Sequence, residues 1–487
     1  MAFAVNLQRL AIGAAAIGAA AILLWFGTGL EAFWPLAWFA PLPILIYSLR
    51  CDSRWQIALA AFLAWALGGL NLWSYLHGTL QIPVGVIGVM LAVPAVVFAL
   101  AVLLFCGLVR RGAYWCALAG FPASWVAFEY GLNLISPHGT AGNLAYSQSN
   151  FLPLLQIASI TGPWGMSYLL MLFPAALALA QHLHARAPRH ALQIGGASLA
   201  LIAAALIFGV VRLSTPTLDQ AVRVGLIVSD APQDIFVANE GAPTAALFAR
   251  YASGVEKLAE QGAKVIVLPE KLGVAVDPDT QTIDAPLQSL ADKHRVEIVT
   301  GLIHVTPTVK WNEARIYTPG AATGSYHKVH LLPPFESIFA RGAALTVVNE
   351  DSGKWGVEIC KDMDFAQPSR DYGHAGVGLL LVPAWDFDRD RWWHGHMAIM
   401  RGVESGFSIV RSAKRGLLTV SDAHGRVLAE ARSDSGTFPT LLVDAPARHV
   451  DTAYVLFGDW FAWVAIATVA WSVKRLFDSR PRGSTLD

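Results

Sequence analysis

Charge is scarce in this chain. Asp, Glu, Lys and Arg make up 14% of its 487 residues, against about a quarter in ordinary soluble domains. The 35 basic and 35 acidic residues cancel, so nothing points to nucleic acid as a partner. Cysteine is equally sparse. Cys51, Cys106, Cys116 and Cys360 form no disulfide framework and show no zinc-type spacing. There is no glycine-rich phosphate loop, and no long linker separates one part of the chain from another. No metal and no cofactor is implied.

What the chain has in excess is apolar sequence, 55% of all residues, and its distribution divides the molecule. A bilayer core of ~30 Å takes about 20 mostly apolar residues per helix. Candidate spans lie near 10–27, 33–49, 55–74, 83–109, 113–130, 152–180, 191–211 and 453–473. The second is short and carries Pro35, Pro41 and Pro43, which spanning helices tolerate when neighbours satisfy the freed backbone. Basic residues follow every second span: Arg50 and Arg54, Arg110 and Arg111, Arg186 and Arg189, then Lys474, Arg475, Arg480 and Arg482. The stretches 28–32, 75–82 and 131–151 have none. Positive loops stay inside, so both termini are expected in the cytoplasm and the segment between spans seven and eight outside. The Ala-rich stretch from Gly13 to Ala20 has the composition of a cleavable leader. Its apolar run continues through Leu23, Leu24, Trp25 and Phe26, and removing it breaks the alternation, so it reads as a first span. Trp34, Trp73, Tyr75, Trp164 and Trp460 lie near exit loops, where they either line an entry from the membrane or form the interfacial aromatic belt, the plainer reading for any one of them. Asp459 is expected at the interface.

From about residue 220 short β-type runs alternate with helical stretches. Strands are expected at Val222–Val228, Val265–Leu268, Val296–Val305, 314–318, 324–330, 355–359 and 377–382, with further strands over 407–431 broken at His424-Gly425. Helices are expected at 243–261, 285–294 and 390–405. This order suggests an α-β-β-α sandwich or a related layered α/β fold. The division is then 1–213, a membrane domain of seven spans; 214–450, the sandwich; and 451–487, a last span and cytoplasmic tail.

Three residues end apolar runs in the sandwich: Glu270 after VIVLP, Lys328 in SYHKVHLLPPFE and Cys360 in WGVEICKDMDF. A thiol is the natural nucleophile for acyl transfer through a thioester, but it needs a base. A carboxylate at a strand end can take the proton, and an ammonium can meet the oxyanion. The backbone N–H after Cys360, from Lys361, is the second expected oxyanion donor. Each residue alone has a plain structural role open to it: a buried inert thiol, a solvated turn carboxylate, a surface ammonium. Trp385, Trp392 and Trp393 are expected at the mouth of the site.

Taken together, order and local motifs resemble the nitrilase superfamily, whose Glu-Lys-Cys triad occurs in this order on an α-β-β-α sandwich. With the spans included, nearly the whole chain resembles the apolipoprotein N-acyltransferase family. EAFWPLAWFAPLPIL and GNLAYSQSNFLPLLQIASITGPWGMSYL are similar to its membrane segments, and VIVLPEK, SYHKVHLLPPFE and GVEIC to its site motifs. The resemblance implies Glu270 as base, Lys328 as oxyanion stabiliser and Cys360 as nucleophile. It implies support from Glu336, eight residues after Lys328, and from Asn312 in WNEARIY; Asp362 falls where the family carries an acidic residue. Arg401 and Glu404 match a structural ion pair. Lys361 departs from the family's usual Tyr, and CKDMDF is closer in form to soluble nitrilase relatives. The implied partners are a phospholipid acyl donor, a diacylated apolipoprotein acceptor and the membrane. The implied place is the bacterial inner membrane, with the sandwich on the periplasmic side. A tethered amidase, an acyltransferase on another substrate, and a non-catalytic membrane scaffold are the alternative readings.

Overall fold

The computed structural model describes residues 2–216 and 220–478; Arg480 and Arg482 lie outside the described residues. The N-terminal part is helical, running through α1 (Ala2–Gly27), α2 (Trp34–Ala37), α3 (Leu42–Arg50), α4 (Arg54–Gly69), α5 (Val84–Arg110), α6 (Tyr114–Ile135), α7 (Leu152–Leu155), α8 (Ala158–Thr161), α9 (Pro163–Leu183) and α10 (Pro188–Leu213). Among the described residues, five stretches are long and apolar enough to cross a membrane: Leu10–Gly27, Arg54–Leu72, Val84–Arg110, Pro163–Leu183 and Pro188–Leu213. Their outer surfaces fit that reading. α5 exposes Val86, Val89, Val93, Val96 and Leu100, and α10 exposes Leu192, Leu199, Ile207 and Val210, patches that water would not tolerate.

Three expected spans are not continuous helices; the last of them, 453–473, is interrupted at Gly458 and Asp459. Residues 33–49 divide into α2 and α3, because Pro35 and Pro43 each stand in the first turn of their helix and Pro41 caps the second. Proline lacks the N–H that would extend a preceding turn and is well placed at a helix start. Residues 152–180 also break, into α7, α8 and α9, with Gly162 at φ +64° between the last two. Non-helical backbone at membrane depth must be covered by protein, and here Gln148, Gln156, Ser159 and Thr161 are all buried. α6 holds the one acidic residue of its span turned inward. Glu129 Oε1 accepts from Leu144 N at 2.7 Å and from Trp125 Nε1 at 2.9 Å, so an intramembrane carboxylate ties two segments together.

The second part has strands β1 (Ala221–Ile227), β2 (Val265–Val267), β3 (Val274–Val276), β4 (Glu297–Val305), β5 (Lys310–Tyr317), β6 (Gly324–His327), β7 (Val347–Glu350), β8 (Gly353–Val357), β9 (Val377–Trp385), β10 (Ser408–Lys414), β11 (Leu417–Ser421), β12 (Val427–Arg432) and β13 (Thr440–Pro446). One sheet runs β13-β1-β2-β4-β5-β6 with β3 beside β4, and the other runs β12-β11-β10-β9-β8-β7. Side chains alternate across each strand. Val222, Val224 and Leu226 face the space between the sheets, with Leu379 and Leu381 opposite. Ile227 faces outward under α11 (Ala242–Glu260) and α12 (Gln281–His294), while Val377, Leu380 and Val382 face outward toward α13 (Ser369–His374) and α14 (Arg391–Ser405). The layering is α-β-β-α. Strands β3, β7 and β13 have no counterpart in the sequence reading; the first two are three and four residues long.

The two parts share one buried apolar cluster. Met397, Ile399, Met400 and Val403 of α14 lie in it with Leu154, Leu155 and Ala158. Polar bridges flank it: Gln156 Nε2 donates to His424 O at 2.8 Å and Arg212 to Gln156 Oε1 at 2.7 Å. The chain then returns through α15 (Ala453–Phe457) and α16 (Trp460–Phe477). Asp459 accepts from Trp164 Nε1 at 2.7 Å and from the Tyr454 hydroxyl at 2.8 Å. Trp164 is therefore an internal strut and not a belt residue.

Candidate active site

Glu270 stands three residues beyond β2, Lys328 directly after β6, and Cys360 at the start of a 3-10 turn, Cys360–Asp364, that follows β8. β2 and β6 belong to one sheet and β8 to the other, so the three meet at one end of the sandwich. Cys360 has φ +42° and Lys271, next to Glu270, has φ +48°. Such left-handed backbone at non-glycine positions is uncommon and gathers at functional sites. At Cys360 it turns the chain sharply as it leaves the strand.

The polar geometry is tight. Lys328 Nζ donates to Glu270 Oε1 at 2.9 Å and to Glu336 Oε1 at 3.1 Å. Asn312 Nδ2 donates to the same two carboxylates at 2.6 and 2.8 Å. Lys271 Nζ lies 2.5 Å from Glu336 Oε1 and 3.5 Å from Glu270 Oε1, and Leu332 N donates to Glu336 Oε2 at 2.8 Å. Two ammonium groups thus balance two carboxylates, all largely out of water. Burial alone would push Glu270 up, but Lys271 and Lys328 outweigh it and hold the carboxyl below the usual range. Burial is likewise outweighed at Lys328, where Glu270 and Glu336 keep the ammonium charged. Burial, reinforced by Glu270 and Asp386, pushes the Cys360 thiol well above its ordinary value against the opposing pull of Lys328 and Arg411. The resting site is an ionised carboxylate beside a protonated thiol. The thiol hydrogen bonds to Trp385 O at 3.5 Å.

The remaining expected residues fall around this centre. Asp362 accepts from Val329 N, His330 N, Ile359 N and the Tyr326 hydroxyl, pinning the Lys328 segment to the Cys360 turn. Its burial raises it to about 6. Lys361 points away from the sulfur. Its Nζ donates to Asp364 Oδ2 at 2.8 Å and lies 3.2 Å from His138 Nδ1. Arg401 and Glu404 do form an ion pair, 2.7 Å apart and fully buried, and Arg401 also donates to the Tyr146 hydroxyl. Of the tryptophans expected at the mouth, Trp385 is beside the thiol. Trp393 packs against Tyr146 of the membrane part instead.

Several neighbours escaped the sequence reading. Lys271 completes the charge cluster. Asp386 pairs with Arg411 close behind the thiol, and His394 sits between Asp386 and Asp390. Tyr75, expected in the aromatic belt, reaches out of the membrane part and donates to Asp390 Oδ2 at 2.6 Å. Thr140 N and Oγ1 both donate to Asp364 O at 2.8 Å. The last two of these contacts join residues hundreds of positions apart, and no local pattern marks them.

Residues 14–176 match the family model of the apolipoprotein N-acyltransferase N-terminal domain, and residues 233–446 match the carbon-nitrogen hydrolase model. An apolipoprotein N-acyltransferase of Geobacter metallireducens is 26% identical, covering 90% of this chain and 90% of its own. One from Methylococcus capsulatus is 26% identical, covering 75% of this chain and 74% of its own. Among solved structures, an amidase from Nesterenkonia sp. aligns at 21% identity with a TM-score of 0.40, over 49% of this chain and 95% of its own.

Proposed function

This chain belongs to the apolipoprotein N-acyltransferase family, the membrane-embedded branch of the carbon-nitrogen hydrolases, and we propose that it moves an acyl chain from a phospholipid, through a thioester on Cys360, to the N-terminal amine of a diacylglyceryl-cysteine on an apolipoprotein. The carrying observation is the convergence of Cys360, Glu270 and Lys328 in a sandwich seated on spanning helices. Both substrates are held in the bilayer by acyl chains, at about 0.8 kcal/mol per buried CH₂. A tethered site meets them by lateral diffusion and need not extract them.

In the first half-reaction Glu270 takes the thiol proton as sulfur attacks the phospholipid ester carbonyl. The Lys328 ammonium has three N–H groups; two go to Glu270 and Glu336, and the third, with the Lys361 backbone N–H, meets the oxyanion. Collapse breaks the ester C–O bond, and the leaving alkoxide takes the proton from Glu270 as the lysophospholipid departs. In the second half-reaction the acceptor amine attacks the thioester, Glu270 accepts its proton, and the C–S bond breaks to return the thiol. The sandwich stands on the periplasmic side of the inner membrane in this scheme, and both termini are cytoplasmic.

Incubation of the purified protein with phospholipid alone should leave a hydroxylamine-labile acyl group. Cys360→Ala should abolish it, and Glu270→Gln and Lys328→Ala should prevent its accumulation. An amine acceptor should discharge the thioester much faster than water does. Discharge by water at the same rate would make the protein a hydrolase, and label persisting in Cys360→Ala would end the mechanism.

A further inference from the structure

The outward face of the first sheet carries a cluster that acyl transfer leaves unused. His304 lies near the end of β4, Glu313 on β5 and His327 at the end of β6. Register places Glu313 directly across from His327, and His304 diagonally from it, two residues past Leu302. Glu313 Oε2 is 2.7 Å from His304 Nδ1 and 3.2 Å from His327 Nε2. One donor atom from each of the three lies within 4.8 Å of the others.

Each group is held in place by a neighbour. Asp277 Oδ1 is 2.9 Å from His304 Nε2, Arg315 Nε donates to Glu313 Oε1 at 2.7 Å, and the His327 ring stacks on Trp311 at 4.2 Å. The Glu313 side chain is buried, whereas those of His304 and His327 are 18% and 31% exposed. An ion therefore has a path in from solvent on the imidazole side.

We propose that His304 Nδ1, His327 Nε2 and Glu313 Oε2 bind a divalent transition-metal ion of the zinc class, with a fourth position open to solvent. Two imidazoles and a carboxylate are a donor set suited to zinc. Around a tetrahedral ion with bonds of ~2.0–2.1 Å, neighbouring donors stand about 3.3 Å apart. The two Glu313 spacings, 2.7 and 3.2 Å, lie within about 0.6 Å of that, and the two imidazole nitrogens, within 4.8 Å of each other, would close onto the ion by side-chain adjustment. Asp277 accepts from His304 Nε2–H, and a bound ion would displace the proton that Nδ1 donates to Glu313, giving the carboxylate–histidine–metal arrangement. The local charge agrees. With both imidazoles neutral, Arg315, paired with Glu313 and Asp284, is the one cation that the described residues set beside Asp277, Glu313 and Asp284, and a dication restores balance. Asn312 and Lys328 are the chain neighbours of Glu313 and His327 and point to the other face. The ion would fasten the three strands that present them.

Cobalt binding to the full chain in detergent tests this without reference to acyl transfer. After chelator treatment, one equivalent of Co²⁺ should give the visible absorption of a four-coordinate site, and Zn²⁺ should displace it. Cys360→Ala should retain the spectrum, which separates this site from the thiol. His304→Gln and His327→Gln should each lose it, and Asp277→Asn should bind about ten- to hundredfold more weakly. Thermal unfolding of the metal-free variants checks that they remain folded; the more exposed His327 is the safer position. No absorption in the unsubstituted protein, or an unchanged spectrum in folded His327→Gln, overturns the site and leaves Glu313 shared between two imidazoles by protons alone.

Discussion

Lys361 illustrates how a side chain next to the proposed nucleophile can be remote from the chemistry. Its ammonium is taken up by Asp364 and His138, so what residue 361 offers the proposed oxyanion is its backbone N–H, which any residue supplies. Lys361→Tyr should keep thioester formation within about tenfold, ~1.4 kcal/mol of barrier. It also strips a buried carboxylate of its partner. Removing one member of such a pair costs about 3–5 kcal/mol, so the melting temperature should drop clearly while single-turnover acylation changes little. A large loss of acylation in folded protein would assign the ammonium a role in the chemistry. His394 has the opposite character, a charged group built into the fold. Burial works against its charge, but Asp390 and Asp386 outweigh that and raise it to about 10. Its folded value is above its ordinary one, so its stabilisation is complete below pH 6.5 and is lost as pH rises through about 10. Thermal stability should therefore decline across that window, and His394→Gln should lower stability at neutral pH and flatten the decline. An equal slope in the variant would refute this.

At the scale of elements, the site depends on close backbone approach. A Cβ on Gly301 of β4 would lie 2.4 Å from Glu270 Cα and 2.8 Å from Pro269 O. Neither is a movable side-chain end. Gly301→Ala must push the segment carrying Glu270 away from β4, at about 1–3 kcal/mol for overpacking. A base displaced by 1 Å is worth up to ~10²-fold in rate. Acylation should slow by on the order of tenfold or more, although residue 301 touches no substrate. Stopped-flow or quenched acylation alongside a melting curve separates the two effects; normal acylation in a destabilised variant would contradict the argument. Long periodic elements such as α5, α11, α14, β4 and β9 were legible because their patterns are strong. The short ones, β3 and β7, were not, since three or four residues hold too little pattern to register.

At the scale of the molecule, the sandwich is continuous with the membrane part. The apolar side of α14 completes the cluster around α7 and α8, and Thr140 and Tyr75 reach elements next to the proposed nucleophile. The orientation that suits the proposed reaction places residues 214–450 outside and both ends inside. Reporter domains fused after Thr215 and at the C-terminus should fall on opposite sides of the inner membrane. Finding both on one side would contradict the eight-span topology.

Composition, apolar runs and strand-end motifs were sufficient by themselves for the two-part architecture, a layered α/β second part and Glu270, Lys328 and Cys360 as strand-end candidates. All of these are carried by local pattern: hydrophobic period, strand length, a residue type at a strand's end. Whether the three residues meet is a question of register and of how two sheets pack, and only the folded chain answers it. The same holds for the broken helices at 33–49 and 152–180, where proline and glycine positions are visible but the protein that covers the freed backbone is not. It holds most for Tyr75 with Asp390, Thr140 with Asp364, and His304 with Glu313 and His327. Those contacts arise because strands and helices distant in sequence become neighbours in space, and a side chain's partner across such a boundary leaves no periodic trace in the residues around it.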